Sequence, residues 1–419
     1  MRLPAVGGER TVPAPDELAR DYILLGLRLD QHQPGLVDAY FGPAALKAEA
    51  ETGALPAPAA LAEAAESLRA RVARNGQPAD RARWLDRQLI ALRTHAERLA
   101  GQTIGYVEEV RRCFDAAPTA AAPGTYAGAR AALDRLLPGQ GDLHARLAAW
   151  DEQTTIPPDR LGAVIDSVLP RLRDATAAVL PIPDGESLGT SLVSGQPWGA
   201  YNWYLGGLRS TIDVNTDLPM RTRDLLRLLS HETFPGHHLE HALKERHLVE
   251  GSGRLEATLL LIDTPECYVS EGLADLGIRY VLDAAAQDEL LRDIRRLAAV
   301  DGADDREEAA RDRAIGDALH GLRAATGDAA LRLHAAGEST QSVRRFLERE
   351  ALLSPERAAK RLEFIRHPLW RTYVFSYAGG ERLLRRWCEA DGPDRAVARF
   401  QRLLTEQLTP SGLAADVAA

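Results

Sequence analysis

A histidine-rich stretch, residues 230–241, holds four of the chain's eleven histidines together with two glutamates. Glu232 directly follows His231, and the neighbours His237 and His238 come six and seven residues after His231. Imidazole nitrogens and carboxylate oxygens are the usual protein ligands of zinc, and a catalytic zinc site leaves one coordination position open for water. The stretch therefore predicts a metal centre, with Glu232 as the candidate general base.

The spacing is longer than in the helical HExxH motif, where two histidines one turn apart bind the ion. On a straight helix His237 would lie about 120° around the axis from His231, and His238 would lie roughly 10 Å along the axis. Pro235 removes a helical hydrogen bond, and Gly236 makes a bend there less costly. We interpret Pro235 and Gly236 as an insertion that returns His237 to the second ligand position, with His238 as the alternative ligand.

The third protein ligand is expected on a downstream helix that returns past the first. Glu271 lies forty residues after His231, and Asp275 follows one helical turn later. A carboxylate in that position accepts the far N–H of a ligating histidine and fixes its tautomer. Acidic pairs at this spacing are also common on solvated helices, so the prediction depends on the upstream motif. We expect one Zn²⁺ per chain, held by His231, His237 and Glu271.

The elements that position these residues are predicted to be helices, because Ala and Leu dominate and aromatic residues make up only 5% of the chain. The exception is a small antiparallel β-sheet at 188–215, just before the metal-site helices at 222–248 and 267–284. Its exposed edge could hold an extended substrate, although a purely structural hairpin is the alternative. A composition shift near residue 181 separates an N-terminal helical half, 1–180, from a catalytic half, 181–419.

Charge and composition exclude several classes of partner. The net charge is −9 without clustered Lys or Arg, which argues against nucleic acid and membrane surfaces as partners. Residues 1–15 lack the basic and apolar regions of a secretory signal, and no stretch approaches eighteen apolar residues. The three cysteines are far apart and form no CxxC pair, which favours a reducing compartment. We therefore expect a cytoplasmic protein.

Several motifs resemble those of a known family. HETFPGHHL at 231–239 resembles the HExxPGHH signature of the bacterial domain-of-unknown-function family 885. SEGLA at 270–274 is similar to the family's Glu-Gly-Trp-Ala segment, and FSYAGG at 375–380 to its Ser-Tyr-Lys-Ile-Gly segment. The resemblance covers about residues 190–390. It implies a large helical body with a substrate groove, like that of the Taq-type thermostable carboxypeptidases, which are zinc metallopeptidases.

The resemblance also adds candidates for substrate contacts. Tyr377 matches the family's tyrosine, and a phenol beside the scissile carbonyl could stabilise an oxyanion, although a tyrosine packed in the core is the alternative. Ala378 replaces the lysine that the family often carries there. His238, if it is not a ligand, is a second candidate for the oxyanion. The arginines that could bind a substrate carboxylate bidentately are Arg209, Arg279 and Arg371.

Two functions follow from these residues. The first is a zinc-dependent hydrolase of peptide or amide bonds, carboxypeptidase-like, acting on a small peptide or an N-acyl amino acid. In it Glu232 would take a proton from water and pass it to the leaving amine. The second is a non-catalytic metal- or peptide-binding helical protein that retains the scaffold. Glu232 argues against the second, because a structural zinc site needs a fourth ligand and not an unligated base.

Overall fold

The computed structural model describes residues 16–196, 198–302 and 305–418, and these are mainly helical, so the predicted fold class is confirmed. Residues 1–15, for which we expect no secretory signal, lie outside the described part. The elements before residue 180 are α1 (Glu17–His32), β1 (Val37–Tyr40), α2 (Ala44–Glu51), α3 (Pro58–Arg74), α4 (Ala79–Leu99), α5 (Tyr106–Phe114), α6 (Thr125–Leu136), α7 (Leu143–Gln153) and α8 (Pro158–Ala177).

The remaining elements contain the predicted site. The strands are β2 (Ser187–Val193), β3 (Ala200–Tyr204), β4 (Arg209–Asn215) and β5 (Leu259–Leu261). The helices are α9 (Thr222–Glu232), α10 (His237–Lys244), α11 (Pro265–Leu276), α12 (Ile278–Val281), α13 (Ala284–Ala298), α14 (Arg306–His320), α15 (Ala324–His334), α16 (Thr340–Glu350), α17 (Pro355–Arg366), α18 (Ser376–Glu389), α19 (Pro393–Thr405) and α20 (Pro410–Ala418). Short π and 3-10 turns cover Glu245–Glu250, Leu255–Thr258 and Tyr373–Phe375.

Local signals place the ends of several helices. Asp16 caps α1, because its carboxylate accepts a hydrogen bond from the backbone N–H of Ala19 at 2.8 Å. Thr264 caps α11 by accepting from the N–H of Cys267 at 3.3 Å, and Pro265 occupies the first turn, where its missing N–H costs nothing. These caps fix the start of the helix that carries Glu271.

The sheet before the site is mixed, so the prediction of an antiparallel sheet is wrong for one strand pair. The strand order is β2-β4-β3; β3 pairs antiparallel with β4, whereas β2 pairs parallel with β4. Gly206 and Gly207 have positive φ and close the tight connection between β3 and β4. That hairpin leaves the other edge of β4 free, and β2 occupies it in parallel. A separate two-stranded sheet pairs β1 with β5, antiparallel.

The two predicted metal-site helices are each interrupted. The helix predicted for 222–248 divides into α9 and α10 with a turn at Thr233–Gly236, followed by the π turn. The helix predicted for 267–284 is α11 from Pro265, which is followed by the short α12. The first interruption has a local cause in the Pro-Gly pair and changes the direction of the chain between the two histidines.

The hydrophobic core crosses the boundary near residue 180. Val164 of α8 lies in the same buried cluster as Leu225 of α9, Leu273 of α11, Leu384 of α18 and Phe400 of α19. A second buried cluster joins α1, α3 and α4 to β5. The division of the chain into two halves stays a prediction. No helix in the described ranges combines the length and the apolar character that a membrane crossing requires.

Candidate metal centre

The turn between α9 and α10 brings the second histidine back to the first. α9 ends at Glu232 and α10 begins at His237. Gly236 packs so tightly against the preceding turn that a methyl group there would lie 1.8 Å from the carbonyl oxygen of His231. Only glycine tolerates this approach. The helix break at Pro235 and Gly236 thus places His237 beside His231, as the spacing predicted.

Three ligand atoms converge on one point. Nε2 of His231 lies 3.1 Å from Nε2 of His237 and 3.5 Å from Oε2 of Glu271. Nε2 of His237 lies 3.6 Å from Oε1 of Glu271. Zinc at 2.0–2.1 Å from tetrahedral ligands separates them by roughly 3.3–3.4 Å. The distances between the three side chains therefore fit the edges of a zinc tetrahedron.

One buried oxygen in this cluster has no hydrogen-bond partner. Oε2 of Glu271 is buried and accepts no hydrogen bond from any described residue, while Tyr373 donates to Oε1 at 2.6 Å. A buried carboxylate oxygen without a partner is costly unless an ion or a water satisfies it. The orphaned oxygen faces His231, so the donor set fits a cation at the centre of the three groups.

A carboxylate and a hydroxyl orient the two imidazoles from behind. Nδ1 of His231 lies 3.1 Å from Oδ1 of Asp275, the contact that the spacing of Glu271 and Asp275 predicted. Asp275 in turn pairs with Arg323 at 2.8 Å. Nδ1 of His237 lies 3.2 Å from Oγ of Ser270. Each ring is therefore held by its far nitrogen, which leaves the near nitrogen directed at the cluster.

The charges in the cluster are strongly coupled. Burial alone would lower the pKa of His231, but its hydrogen bond to Asp275 and the nearby Glu271 carboxylate raise it to about 9. Burial would raise the pKa of Glu271, and the nearby imidazoles of His231 and His237 lower it. In the absence of a cation the two imidazoles would thus hold proton charge that offsets the carboxylates. A bound cation replaces those protons, so metal binding at this site is expected to release protons.

Glu232 lies at the end of α9 and lines the cavity beside the cluster. Its backbone carbonyl accepts a hydrogen bond from the side-chain amide of Asn202 on β3 at 2.7 Å, which ties the end of α9 to the sheet. Burial raises the pKa of the Glu232 carboxyl. This carboxyl is not among the groups that converge as metal ligands. Its position leaves it available as a base.

A close helix crossing brings Tyr377 to the site. A methyl group on Gly272 of α11 would lie 2.5 Å from the backbone of Gly380 on α18, so only glycines permit this approach. The Tyr377 ring lies 6.4 Å from the His231 ring, centroid to centroid, and lines the cavity. The guanidinium carbon of Arg323 lies 5.2 Å from the centre of the Tyr377 ring. Tyr377 thus faces the site.

His238 is not brought to the cluster. Its Nδ1 lies 2.8 Å from Oγ of Ser210 on β4, and its Nε2 lies 3.0 Å from a carboxylate oxygen of Glu186. The side chain is fully buried on the sheet side of α10 and is not among the residues that line the cavity. One residue along a helix rotates a side chain by about 100°, which directs His237 inwards and His238 towards the sheet.

The cluster of His231, His237 and Glu271 opens into a cavity of about 270 Å³. Ala200, Tyr201 and Asn202 of β3 line one wall, and β3 is an edge strand of its sheet. The aromatic side chains that also line the cavity are Phe41, Trp84, Trp198, Phe364, Trp370, Tyr373 and Tyr377. The sheet edge that we predicted beside the site is thus present. The cavity combines an apolar aromatic surface with the polar cluster, as small-molecule sites commonly do.

Several residues of the site gave no signal in the sequence. Tyr373 donates to Glu271 but belongs to a short turn outside every recognisable pattern. Asp38 of β1 lines the cavity and accepts a hydrogen bond from Tyr201, and burial raises its pKa to about 6. Of the arginines proposed for a substrate carboxylate, Arg371 already pairs with Glu109 at 3.0 Å. The pairs Tyr373–Glu271 and Asp38–Tyr201 could not be predicted because their members are far apart along the chain.

Comparisons with known proteins bear on the fold alone. No family model matches the chain, and no curated protein matches it. The chain is similar in structure to a crystal structure described as "the putative lipoprotein from Colwellia psychrerythraea". The TM-score is 0.50 at 14% identity, covering 97% of this chain and 76% of the other. A Shewanella oneidensis structure, "a putative lipoprotein of unknown function", gives a TM-score of 0.44 at 14% identity, covering 86% and 76% of the two chains.

Proposed function

We propose that this protein is a zinc-dependent hydrolase of peptide or amide bonds. The observation that carries the proposal is the convergence of His231, His237 and Glu271, with a buried oxygen of Glu271 that lacks a hydrogen-bond partner. These three residues would hold the ion. Three protein ligands, rather than four, are the number that catalytic zinc sites use.

Zinc bound in such a site acts as a Lewis acid and brings the pKa of water towards neutrality. Glu232 would serve as the general base, taking a proton from water and giving it to the leaving nitrogen. Its raised pKa suits both roles, because a carboxyl with a pKa nearer to neutral pH accepts and returns a proton more readily. The carboxyl lines the cavity directly beside the ligand cluster, which supports this role.

Tyr377 is the proposed hydrogen-bond donor to the oxyanion. Burial keeps the pKa of its phenol well above the ordinary value, so the hydroxyl stays protonated. Its ring lines the cavity on the same side as His231. A well-placed donor of this kind stabilises the transition state by about 3 kcal/mol. His238 takes no part in this proposal, because both of its ring nitrogens have partners on the sheet side.

The cavity supports a small substrate. Its volume of about 270 Å³ and its aromatic lining suit a short peptide or an N-acyl amino acid with an apolar side chain. The edge strand β3 offers backbone groups to an extended substrate. The proposal includes membership of the domain-of-unknown-function family 885 and likeness to carboxypeptidases of the Taq type. It also includes a cytoplasmic location.

Metal analysis and a single variant test the proposal together. The purified protein should carry about one zinc per chain and cleave members of a library of short peptides and N-acyl amino acids. Glu232→Gln should keep the zinc and lose at least about 100-fold in kcat, the lower range for a general base. Glu289→Gln, at an exposed position on α13, is the matched control and should behave like the wild type.

The non-catalytic alternative predicts a different result. A protein that binds one zinc yet cleaves no member of the library would be a metal- or peptide-binding protein and not a hydrolase. If the Glu232→Gln variant cleaves as fast as the wild type, Glu232 is not the general base.

A further inference from the structure

The described residues that line the cavity carry more negative than positive charge. Their carboxylates belong to Asp38, Glu232, Glu240, Glu266 and Glu271. No arginine is among these lining residues, and the only lysine is Lys244. A zinc ion and the ammonium group of Lys244 would together offset three of the five negative charges. A cavity with this excess of negative charge favours a cationic ligand over an anionic one.

Lys244 is not available to an anionic group of a substrate. Its Nζ donates to a carboxylate oxygen of Glu240 at 2.7 Å and to one of Glu266. Glu266 also accepts a hydrogen bond from the indole N–H of Trp84 at 2.6 Å. Because the buried ammonium group is held between two carboxylates, the described lining offers no free lysine or arginine to a carboxylate of the substrate.

Asp38 of β1 is the carboxylate in this lining that neither binds the predicted ion, serves as the base nor pairs with Lys244. Within the described ranges it forms no ion pair, and its one hydrogen bond comes from the hydroxyl of Tyr201, which donates to Oδ1. A hydroxyl is neutral, so the charge of this half-buried carboxylate has no counter-charge. An incoming cation would stabilise it.

Two aromatic rings of the cavity lie beside Asp38. The Tyr201 side chain contacts it directly, and the ring of Trp198 lies 5.6 Å from the Tyr201 ring, centroid to centroid. Both rings line the cavity. The face of an aromatic ring attracts cations, and more strongly where water is excluded. The carboxylate and the rings therefore favour the same kind of ligand group.

An independent feature of the same wall requires a hydrogen-bond donor. Asn202 follows Tyr201 on β3 and lines the cavity. Its Nδ2 donates to the backbone carbonyl of Glu232 at 2.7 Å, which fixes the orientation of the side-chain amide. Its Oδ1 is buried and accepts no hydrogen bond from any described residue. Buried acceptors normally have a donor, and an N–H group of a ligand would supply one.

Strand β3 connects Asp38 to the proposed reaction centre. Tyr201 contacts Asp38, and the next residue, Asn202, contacts the backbone of Glu232. The Cα atoms of consecutive residues are about 3.8 Å apart. One small ligand can therefore place a cationic group at Asp38 and a carbonyl group at the cluster of His231, His237 and Glu271.

We infer that Asp38, together with the rings of Tyr201 and Trp198, binds a primary ammonium group of the substrate. The enzyme then prefers substrates with such a group over N-acyl amino acids that lack one. This inference rests on the proposed function and deepens it by naming the substrate class. The amino end of a peptide and a lysine side chain both carry this cation. Asn202 would accept a hydrogen bond from an N–H group of the same substrate.

A binding experiment tests the inference without requiring turnover. Glu232→Gln protein loaded with zinc is titrated by calorimetry at pH 7 with Ala-Phe-amide, N-acetyl-Ala-Phe-amide and N-acetyl-Lys-Phe-amide. The first peptide carries an ammonium group at its amino end, the second carries none, and the third carries one on its side chain. All three are C-terminal amides, so a terminal carboxylate plays no part. At pH 7 Asp38, with a pKa of about 6, is mainly ionised, and the amino end is mainly protonated.

We expect at least one of the two ammonium peptides to bind about 10- to 100-fold more tightly than the neutral peptide, the range of a charge-assisted hydrogen bond. Tighter binding of Ala-Phe-amide would place the recognised group at the amino end of the substrate. Tighter binding of N-acetyl-Lys-Phe-amide would place it on a side chain. Either result supports the inference.

Variants of Asp38 locate the contact. In the same Glu232→Gln background, Asp38→Asn should bind all three peptides about as weakly as the neutral one, while Asp38→Glu should keep part of the preference. Asp213→Asn is the matched control and should keep the full preference. Asp213 also accepts a hydrogen bond from an aromatic residue of β3, Trp203 at 2.8 Å, but is not among the residues that line the cavity. Zinc analysis and circular dichroism check that each variant keeps the ion and the fold.

Each contrary result has a distinct meaning. Equal affinity for the three peptides, no binding of any of them, or an unchanged preference in Asp38→Asn would overturn the inference. If the wild type cleaves matched N-acyl and free-amine substrates at equal rates, the inference fails and the proposed hydrolase stands. If a protein that cleaves none of them binds an ammonium peptide more tightly, and Asp38→Asn loses this preference, the ammonium site stands and the hydrolase fails.

Discussion

The Nε2 atoms of His231 and His237 lie 3.1 Å apart, although the two residues are six positions apart in the chain, on either side of a helix break. Two neutral imidazoles can share at most one proton across such a contact, and two charged ones would repel. The arrangement is favourable when a cation occupies the space between the two nitrogens and Glu271. This relationship yields the first prediction.

His237→Ala and Glu271→Ala should each lose most of the bound zinc on dialysis against a weak chelator, whereas His238→Ala should keep it. The reason is that the His237 ring faces the cluster and the His238 ring faces Ser210 and Glu186. Elemental analysis by mass spectrometry gives the zinc content, and circular dichroism confirms folding. Retention of zinc by His237→Ala together with its loss from His238→Ala would reverse the assignment.

Asp275→Asn should weaken zinc binding by about 10- to 100-fold without abolishing it, the usual effect of losing a carboxylate behind a ligating histidine. Asp275 lies 3.1 Å from Nδ1 of His231 and holds the ring that presents Nε2 to the cluster. Competition with a fluorescent chelator measures the affinity. Asp159→Asn, at an exposed position in the first turn of α8, serves as the control. Equal affinity of Asp275→Asn and wild type would show that this contact does not support the site.

Gly236→Ala should destabilise the metal-free protein by at least about 1–3 kcal/mol, the cost of forcing extra atoms into a packed region. The added methyl group would meet the carbonyl oxygen of His231 at 1.8 Å, so the backbone must move. Urea unfolding of both proteins in a chelator measures the difference. Gly105→Ala, where the added group meets nothing within 4 Å, is the matched control. A stability equal to that of the wild type would mean that the turn adjusts freely.

His95 should make the stability of the protein sensitive to mild acid. Burial lowers its pKa to about 4, from an ordinary value of 6.5, so the folded state keeps the ring neutral where the unfolded chain already protonates it. The free energy of unfolding should therefore fall as pH drops from 6.5 to 4, by up to about 3 kcal/mol, and show no such loss above 6.5.

Urea unfolding of metal-free protein at several pH values checks this dependence against His95→Gln. The variant lacks the titrating ring, so the difference in the free energy of unfolding between variant and wild type should change between pH 6.5 and pH 4. A constant difference between the two proteins from pH 7 to pH 4 would contradict the prediction.

Local patterns in the sequence were enough to predict the helical fold and the candidate metal ligands. Helix-forming composition and caps act over a few residues, and the Pro-Gly pair marks its own break in the helix. The same short range explains why Asp275 was expected behind a histidine: one helical turn separates it from Glu271, and the structure brings both to His231. Such features depend on residues that are close together in the sequence.

Tertiary structure alone decided which side chains meet across long separations. The direction of His238 depends on a sheet that packs against α10, and the parallel pairing of β2 depends on the free edge of β4. Tyr373 reaches Glu271 from 102 residues away, on the side where Gly272 and Gly380 let two helices approach closely. Packing of distant segments sets these relationships, because no local propensity encodes them.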